Sequence, residues 1–363
     1  MLLCHNQFLN FSFNEINYEE VFVYIISGSC SDFSIQAMAQ VQPAPDYLSD
    51  PHLSEGTKAY LKVLNASSTP VESLGPQGAR EVLINAQKAV NVDVSGIDES
   101  EKTIQADGMS IKLNLVRPAG VSGKLPVFIF IHGGGWVLGD YQTHKRLVRD
   151  IVVESGYACV FVNYTPSPEA RFPVPTNEIY AATKWVAEHG DEIHVDGSRL
   201  AVVGNSVGGN MTMATSMQAK EKGGPEIKCQ ILMWPVTDAY MNYDSWKEYG
   251  AQRFLTSSLM TWMYDNYLSS PADRDNILVS PVRATGEQLS GLPPTLIQVA
   301  ENDILRDEGE LLGQKLDEAG VYVTTLRYDG VIHDWGLLNG FATLPPTRTL
   351  ITVTAATLKK FLK

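Results

Sequence analysis

Gly204-Asn205-Ser206-Val207-Gly208-Gly209 is the stretch of this sequence that decides its fold. The residues before it, 200–203, form a short apolar run that is typical of a buried strand. The residues after it, 207–220, show the spacing of apolar side chains that is typical of a helix. A Gly-x-Ser-x-Gly turn between a strand and a helix holds its serine on a sharp corner, exposed at the end of a sheet. The stretch therefore predicts an α/β fold with Ser206 as a nucleophile.

Apolar runs alternate with helical segments on both sides of this turn. The predicted strands are residues 103–106, 111–115, 127–131, 158–163, 200–203, 231–234, 295–299 and 321–327. The predicted helices of the same pattern are residues 141–155, 176–188, 207–220, 308–318 and 347–361. The first two strands read as a hairpin, with its turn at Asp107-Gly108. This order predicts a mostly parallel, eight-stranded sheet with helices on both faces and antiparallel strands at one edge.

Two further segments are predicted to form a helical cap over the sheet. Residues 46–95 show helical spacing, and residues 236–280 contain a helical patch at 258–267 but no convincing strand. Large apolar side chains are frequent in the second segment: Trp246, Phe254, Met260, Trp262, Met263, Tyr264 and Tyr267. We therefore predict a main domain of residues 96–235 and 281–363, interrupted by the cap insertion. A plain helical subdomain packed by these side chains is the alternative.

The composition argues against two classes of partner. Of the 363 residues, 44% are hydrophobic and 19% are charged, which is ordinary for a globular protein with a sizeable core. The net charge of −13 and the lack of a basic run argue against nucleic acid, since phosphate binding needs clustered Lys and Arg. Stable membrane insertion is not expected either, because the apolar stretch 21–26 is far too short to span a bilayer.

The four cysteines give no sign of a metal site. Cys4, Cys30, Cys159 and Cys229 are spaced like neither a zinc site nor a small disulfide framework. Because Cys159 and Cys229 lie in apolar runs, we expect them to be buried free thiols.

Two interpretations remain open for the first 45 residues, as a leader or as an extension. The first 57 residues contain no Lys or Arg, whereas a secretory signal needs a positively charged start. This favours an extension over residues 1–37, with Met38 as an alternative initiator. Ala37-Met38-Ala39, however, resembles a signal cleavage site. We expect a cytoplasmic protein, or a secreted or periplasmic one if residues 1–39 act as a signal.

A glycine run follows the predicted strand 127–131. His132-Gly133-Gly134-Gly135-Trp136 leaves backbone N–H groups uncovered at the same edge of the sheet as Ser206. The N–H groups of Gly134, Gly135 and Val207 would hold the oxyanion of a tetrahedral intermediate. A flexible loop is the alternative, but such loops rarely begin at a buried strand and end in Trp. The residues expected to support the two turns are His132, Gly133, Trp136, Gly204, Asn205 and Gly208.

The general base and the acid should come late in the chain, because the order in this fold is serine, acid, histidine. His333 is the histidine that follows a late strand. The alternative is that it is a surface histidine without a catalytic role. Asp303 lies four residues after the predicted strand 295–299, and Glu301 is the alternative acid. Asp307 and Glu308 fit the first helical turn that follows, where carboxylates complement the helix dipole. We therefore predict a triad of Ser206, Asp303 and His333.

These motifs resemble those of the hormone-sensitive-lipase-like (bacterial HSL, family IV) branch of the α/β-hydrolases. The similarity runs from about Leu53 to Lys363 and has five parts: His132 to Trp136, Asn163-Tyr164, Pro168-Glu169 with Phe172-Pro173, Leu292-Pro293-Pro294, and residues 303–309. The resemblance implies small to medium carboxylic ester substrates, no cofactor and a two-part helical cap. It places the catalytic roles on Ser206, Asp303 and His333 as above, and favours a homodimer paired along the last strand.

The chain departs from the family pattern beside the nucleophile. Asn205 stands where an acidic residue or threonine is usual, and Val207 stands where alanine is usual, which is expected to narrow the acyl side. The predicted function is a carboxylesterase for short- to medium-chain acyl esters, acting through an acyl-enzyme. The alternatives are an amidase or deacetylase with the same triad, and a ligand-binding member that does not hydrolyse. The second is disfavoured because His333 is present. Interfacial lipase action is also disfavoured.

Overall fold

One mixed sheet organises the chain in the computed structural model, which describes residues 41–363. Its eight strands within these residues are β1 Ile97–Ala106, β2 Met109–Pro118, β3 Leu125–Ile131, β4 Ala158–Asn163, β5 Val195–Asn205, β6 Cys229–Met233, β7 Thr295–Asn302 and β8 Val323–Ile332. The strand order is β1-β2-β4-β3-β5-β6-β7-β8. Strand β2 is antiparallel to both of its neighbours, and the other pairs are parallel. The predicted mostly parallel, eight-stranded sheet is confirmed.

Helices cover both faces of this sheet. They are α1 Glu55–Leu64, α2 Gly75–Lys88, α3 Tyr141–Ser155, α4 Val174–His189, α5 Val207–Lys222, α6 Asp244–Glu248, α7 Ser257–Tyr267, α8 Gly286–Leu289, α9 Arg306–Glu318 and α10 Pro345–Phe361. Helix α3 packs against α10, and α4 packs against α5. The central strands are buried on both sides, so their sequences read as continuous apolar runs rather than alternating ones.

Two strands run further than the sequence predicts, and both extensions matter for the site. Strand β7 ends at Asn302, beyond the predicted end at residue 299, and β8 ends at Ile332, beyond the predicted end at 327. Backbone pairing of Asn302 with Ile332 carries both strands through residues without an apolar pattern. Because β7 and β8 are parallel neighbours that end side by side, the next residues, Asp303 and His333, are adjacent in space.

The first hairpin forms as predicted but is longer. Asp107 and Gly108 both have positive φ, 47° and 79°, which suits a tight two-residue turn between antiparallel strands. Strand β1 begins at Ile97 instead of residue 103, and Ile97 pairs with Pro118 of β2. Residues 98–102 are polar and mostly exposed on this edge strand, so no apolar alternation marked them.

The segments predicted to form the cap contain helices and no strand within the described residues. Helices α1 and α2, joined through the 3-10 turn Val71–Leu74, precede the sheet. Between β6 and β7 lie α6, α7 and α8, together with the 3-10 turns Pro271–Asp275 and Pro281–Arg283. The domain boundaries assigned from the sequence stay a prediction.

Several sequence predictions concern the chain termini and the cysteines. The interpretations of residues 1–39 as an extension or a signal lie outside the described residues. In residues 41–363, no helix combines the length and the apolar character needed to cross a membrane. Cys159 and Cys229 are buried free thiols, as predicted.

Candidate active site

Ser206 lies on the corner between β5 and α5 in a strained backbone conformation. Its φ of 55° and ψ of −121° are values that residues other than glycine rarely adopt. Backbone hydrogen bonds hold the corner: the Ser206 N–H donates to the Met233 carbonyl at 2.8 Å, and the Val236 N–H donates to the Ser206 carbonyl at 3.2 Å. Close packing requires glycine here, since a Cβ on Gly208 would lie 2.0 Å from the carbonyl oxygen of Ile131.

Two hydrogen bonds link Ser206, His333 and Asp303 in a chain. The Nε2 atom of His333 lies 3.0 Å from the Oγ of Ser206, and its Nδ1 atom lies 2.7 Å from the Oδ2 of Asp303. All three side chains are buried. When Nδ1–H donates to the carboxylate, Nε2 is left as an acceptor that faces the serine hydroxyl. The structure therefore brings together the three residues of the predicted triad, in the geometry that a general base needs.

A second carboxylate also faces the imidazole of His333. The Oδ1 atom of Asp334 lies 4.0 Å from His333 Nε2 and accepts a hydrogen bond from Trp234 Nε1 at 2.8 Å. Burial lowers the pKa of His333, but the charges of Asp303 and Asp334 outweigh burial, so the net pKa is raised. Burial also raises the pKa of the Asp334 carboxyl. His333 therefore holds a proton more readily in this site than a histidine does in water.

The loop after β3, residues 132–138 (the glycine loop), lines the same cavity with Gly134, Gly135 and Leu138. The carbonyl of Gly134 accepts hydrogen bonds from the N–H groups of Val137 at 3.1 Å and Leu138 at 2.7 Å, which closes a tight turn. Within residues 41–363, the N–H groups of Gly134, Gly135 and Val207 have no hydrogen-bond acceptor. Gly134, Gly135 and Ser206 line one cavity. These N–H groups are therefore available to an oxygen atom bound beside Ser206.

Asn205 joins the glycine loop to the nucleophile turn. Its Oδ1 atom accepts a hydrogen bond from the Gly133 N–H at 3.0 Å, and its Nδ2 atom donates to Asp334 Oδ1 at 3.4 Å. The side chain is fully buried. Gly204 precedes it, where a Cβ would lie 2.2 Å from the carbonyl oxygen of Gly208. An amide suits this position, because one end must accept a hydrogen bond and the other must donate one.

His132 contacts its own loop and not the nucleophile. Its Nδ1 atom lies 2.9 Å from the Gly133 carbonyl oxygen, and the Tyr164 hydroxyl donates to the His132 carbonyl at 3.1 Å. Its ring stacks on Tyr164 with centroids 4.1 Å apart. Burial lowers the pKa of His132 to about 4, so this imidazole is neutral near pH 7. Trp136, at the other end of the glycine run, is buried and stacks on Tyr267 of α7 at 4.0 Å.

The cavity above Ser206 has a volume of about 590 Å³, which is within the usual range for small-molecule sites. Both segments that were predicted to form the cap contribute to its lining. The apolar lining side chains are Leu64, Pro70, Val71, Leu74, Val82, Leu83, Ala86, Leu138, Phe254, Leu255, Leu259 and Met263. Glu72 and Asp334 are its carboxylates, and it contains no Lys or Arg among the described residues. Val207 is fully buried and is not among the residues that line this cavity, and the expectation that it narrows the acyl side stays a prediction.

The other candidate acids have different partners. Glu301 accepts hydrogen bonds from the Gly330 N–H at 2.8 Å and lies 2.9 Å from His52 Nδ1. Glu308 is buried, and its Oε1 and Oε2 atoms accept hydrogen bonds from the Thr237 N–H at 2.6 Å and from Trp246 Nε1 at 3.0 Å. These carboxylates hold neighbouring segments in place and do not reach His333.

Sequence reasoning did not find two residues of this region. Asp334 adjoins His333 in the chain and carries no motif of its own, but at a φ of 63° its carboxylate lies 4.0 Å from the imidazole. Arg80 carries no motif at all, yet its guanidinium contacts the glycine loop. The sequence Asp334-Trp335 does not predict the positive φ of Asp334. Residues 41–363 contain no group of three or more His, Cys, Asp or Glu side chains placed to hold a metal ion.

Comparison with known proteins finds many relatives with this architecture. Residues 128–337 match a family described as having the alpha/beta hydrolase fold. A thermostable esterase from Pseudomonas putida has a solved structure that is 52% identical, with a TM-score of 0.85, over 86% of this chain and 99% of that one. The ethyl acetate hydrolase of Pseudomonas putida is 30% identical over 80% of this chain and 91% of that protein. Carboxylesterase NlhH of Mycobacterium tuberculosis is 33% identical over 65% of this chain and 74% of that protein.

Proposed function

This chain belongs to the α/β-hydrolase family, in its hormone-sensitive-lipase-like branch of esterases, and from that membership we propose that it hydrolyses short- to medium-chain acyl esters through Ser206, His333 and Asp303. The observation that carries this proposal is the continuous hydrogen-bond chain from the Asp303 carboxylate through His333 to the Ser206 hydroxyl. It supports covalent catalysis, since a serine hydroxyl needs an adjacent base to act as a nucleophile.

In the first step, His333 Nε2 takes the proton of Ser206 Oγ as the oxygen attacks the ester carbonyl carbon. The carbonyl oxygen becomes an oxyanion, which the N–H groups of Gly134, Gly135 and Val207 stabilise. Asp303 holds the imidazole orientation and stabilises the imidazolium. The protonated His333 then gives its proton to the leaving alkoxide, so the alcohol departs and an acyl-Ser206 ester remains.

In the second step, His333 takes a proton from a water molecule that attacks the acyl-enzyme. A second oxyanion forms and is held by the same N–H groups. Its collapse releases the carboxylic acid and returns the proton from His333 to Ser206. The ester and this water are the reactants, and the proton transfers in both steps pass through His333.

The lining of the cavity supports uncharged esters with apolar acyl chains of limited length. Its wall is mainly aliphatic and aromatic, and its volume of about 590 Å³ suits a small molecule. Because Glu72 and Asp334 are the acidic side chains that line the cavity and no Lys or Arg of the described residues does, an anionic substrate gains no Lys or Arg partner there.

The proposal is tested by comparing Ser206→Ala with Ser216→Ala, which removes a buried serine of α5, the helix that follows Ser206, outside the cavity. On a series of p-nitrophenyl esters from acetate to laurate, we expect wild type and Ser216→Ala to prefer the shorter chains. We expect Ser206→Ala to lose at least about 10³-fold in kcat. A p-nitrophenyl phosphonate should label wild type with one equivalent at Ser206. Retained hydrolysis by Ser206→Ala would show that the nucleophile is another group.

A homodimer and a cytoplasmic location also stay proposals. Strand β8 is an edge of the described sheet, and Thr324, Thr325 and Arg327 on it are exposed. An exposed edge strand offers unpaired backbone groups to a second copy. Sedimentation velocity should give a mass of two chains for the homodimer, and cell fractionation should place the activity in the soluble cytoplasmic fraction.

A further inference from the structure

Arg80 of helix α2 contacts two loops at the edge of the candidate site without lining its cavity. Its Nε atom donates to the Val137 carbonyl at 2.8 Å, and its Nη2 atom donates to the Ser167 carbonyl at 3.0 Å. The same guanidinium forms a bidentate pair with Glu169, at 2.8 Å from Nη1 and 2.7 Å from Nη2. The Arg80 side chain is 20% exposed. One side chain therefore bonds α2 to both the glycine loop and the loop after β4.

The glycine loop depends on these contacts for its orientation. The Gly134 carbonyl is satisfied within the loop, and the Trp136 carbonyl accepts a hydrogen bond from the Ser167 N–H at 2.8 Å. Arg80 completes the set at the Val137 carbonyl. The Val137 carbonyl shares a peptide plane with the Leu138 N–H, which donates to the Gly134 carbonyl at 2.7 Å. The Gly134 carbonyl shares the next plane with the Gly135 N–H, so the bond from Arg80 to Val137 bears on the orientation of the Gly135 N–H through these two planes.

We propose that Arg80 is a positioning residue for the oxyanion hole, joining the first helical segment of the cap to the glycine loop. This inference rests on the proposed function, since it assigns Arg80 an effect on the transition state of that hydrolysis. Arg80 acts through Val137 and Ser167 and does not touch the substrate.

The chemistry of the contact requires arginine. A planar guanidinium presents five N–H donors in a fixed fork, so it can bond two carbonyls and both oxygens of a carboxylate at once. A lysine ammonium in the same place has three donors at a single point and cannot reach all four acceptors. The Glu169 side chain is 52% exposed, so its ion pair with Arg80 contributes little to the stability of the fold. Its main effect is to hold the guanidinium of Arg80 in one orientation.

The first experiment compares Arg80→Met and Arg80→Lys with Arg117→Met. Arg117 is a matched control, because it also donates to two backbone carbonyls, those of His194 and Gly123, at another part of the molecule. With p-nitrophenyl butyrate we expect Arg80→Met to lower kcat about tenfold or more, with KM changed less than threefold. The kcat of Arg80→Lys should lie between those of Arg80→Met and wild type, and Arg117→Met should keep the wild-type kcat.

A rescue experiment separates positioning from general folding. Because Arg80 is partly exposed, added methylguanidinium should restore part of the kcat of Arg80→Ala, whereas methylammonium at the same concentration should not. Labelling of Ser206 by the phosphonate should slow in Arg80→Ala and recover together with kcat, because phosphonylation also develops charge on an oxygen in the same hole. Thermal unfolding of each variant identifies those that are folded at the assay temperature.

Two results would overturn the inference. A folded Arg80→Met with wild-type kcat would show that the glycine loop keeps its orientation without Arg80. A loss of stability with no change in the kcat of the folded fraction would assign Arg80 a structural role only. Failure of the proposed function is distinguishable from both, since Ser206→Ala would then remain active regardless of residue 80.

Discussion

The Nδ1 atom of His333 lies 2.7 Å from the Oδ2 of Asp303, although Glu301 lies two residues closer to the start of β7 and was also a candidate from the sequence. The side chains of residues 301 and 303 have different partners, because β7 ends between them. Glu301 is still within the strand and bonds the Gly330 N–H of β8, whereas Asp303 follows the strand and meets the residue that follows β8.

From this arrangement we expect Asp303→Asn to lower kcat by about 10³- to 10⁴-fold, as loss of the acid does in comparable triads. An amide no longer selects the Nδ1–H tautomer or stabilises the imidazolium. Glu301→Gln is the matched control and should change kcat less than threefold. Steady-state kinetics on p-nitrophenyl butyrate checks both. Equal losses in the two variants would contradict the assignment of Asp303.

The second prediction concerns the pH dependence of kcat/KM. Only neutral His333 can take the proton of Ser206, so activity falls as the pH drops below the pKa of His333 in the free enzyme. The pKa of His333 is raised by Asp303 and Asp334 against the lowering effect of burial. Removing the charge of Asp334 therefore lowers this pKa, and the acidic limb of Asp334→Asn should move to lower pH than that of wild type.

The control for this measurement is Asp329→Asn, which neutralises an exposed carboxylate on β8, the strand that precedes His333 and Asp334. Its acidic limb should coincide with that of wild type. The profiles are recorded with p-nitrophenyl acetate from about pH 5 to pH 8, where histidines titrate. A shift of the Asp334→Asn limb to higher pH would contradict the electrostatic argument.

The third prediction uses the close approach of Gly135 to Met263 of helix α7. A Cβ on Gly135 would lie 1.9 Å from the Sδ of Met263, and the φ of Gly135 is 61°. We expect Gly135→Ala to lower kcat/KM by about 10²-fold or more, because the loop must shift and one oxyanion donor is misplaced.

Gly108→Ala separates this overlap from backbone strain. Gly108 also has a positive φ, 79°, but a Cβ there would meet no atom within 4 Å. It should lose about 1 kcal/mol of stability, measured by urea unfolding, and keep the wild-type kcat/KM. If Gly135→Ala had the same stability loss and the same kcat/KM as Gly108→Ala, the overlap with Met263 would have no effect on catalysis.

The fourth prediction concerns the charge of the substrate. Glu72 lines the cavity, and no Lys or Arg among the described residues does, so an acyl chain that ends in a carboxylate is repelled. We compare p-nitrophenyl hexanoate with the p-nitrophenyl half-ester of glutaric acid. Glu72→Gln should raise the relative kcat/KM for the half-ester about fivefold, which corresponds to on the order of 1 kcal/mol between two nearby charges.

Glu81→Gln serves as the control, since Glu81 is exposed on α2, the helix that follows Glu72, and lies outside the cavity. Its ratio should equal that of wild type. High salt should reduce the effect of Glu72→Gln, because screening shortens the range of the repulsion. An unchanged ratio in Glu72→Gln would show that this carboxylate does not face the bound acyl chain.

Local pattern was sufficient to predict much of the fold. The strand–turn–helix around Ser206, the buried strands and the Asp107-Gly108 hairpin follow from apolar spacing and turn chemistry, which act over a few residues. The strand ends were less predictable. Residues 300–302 and 328–332 become strand through pairing with each other, and pairing between distant segments leaves no periodic signal in either one.

The sequence by itself determined the chemistry of this protein: a serine on a strand-to-helix corner, a glycine run with uncovered N–H groups, and a late histidine preceded by an acid. These residue types and their order are local facts of the chain. Only the tertiary structure decided which groups surround them. Asp334 turns back onto His333, Asn205 joins the glycine loop to Asp334, and Arg80 reaches the Val137 carbonyl.

The physical reason is that such contacts depend on backbone angles and packing across the whole sheet. The side chains at Asp334 and Arg80 carry no requirement that neighbouring residues reveal, since a carboxylate or a guanidinium is equally compatible with solvent. Their positions follow from the φ of 63° at Asp334 and from the placement of α2 beside the loops after β3 and β4. The shape of the cavity is decided in the same way, by helices that are distant in sequence and adjacent in space.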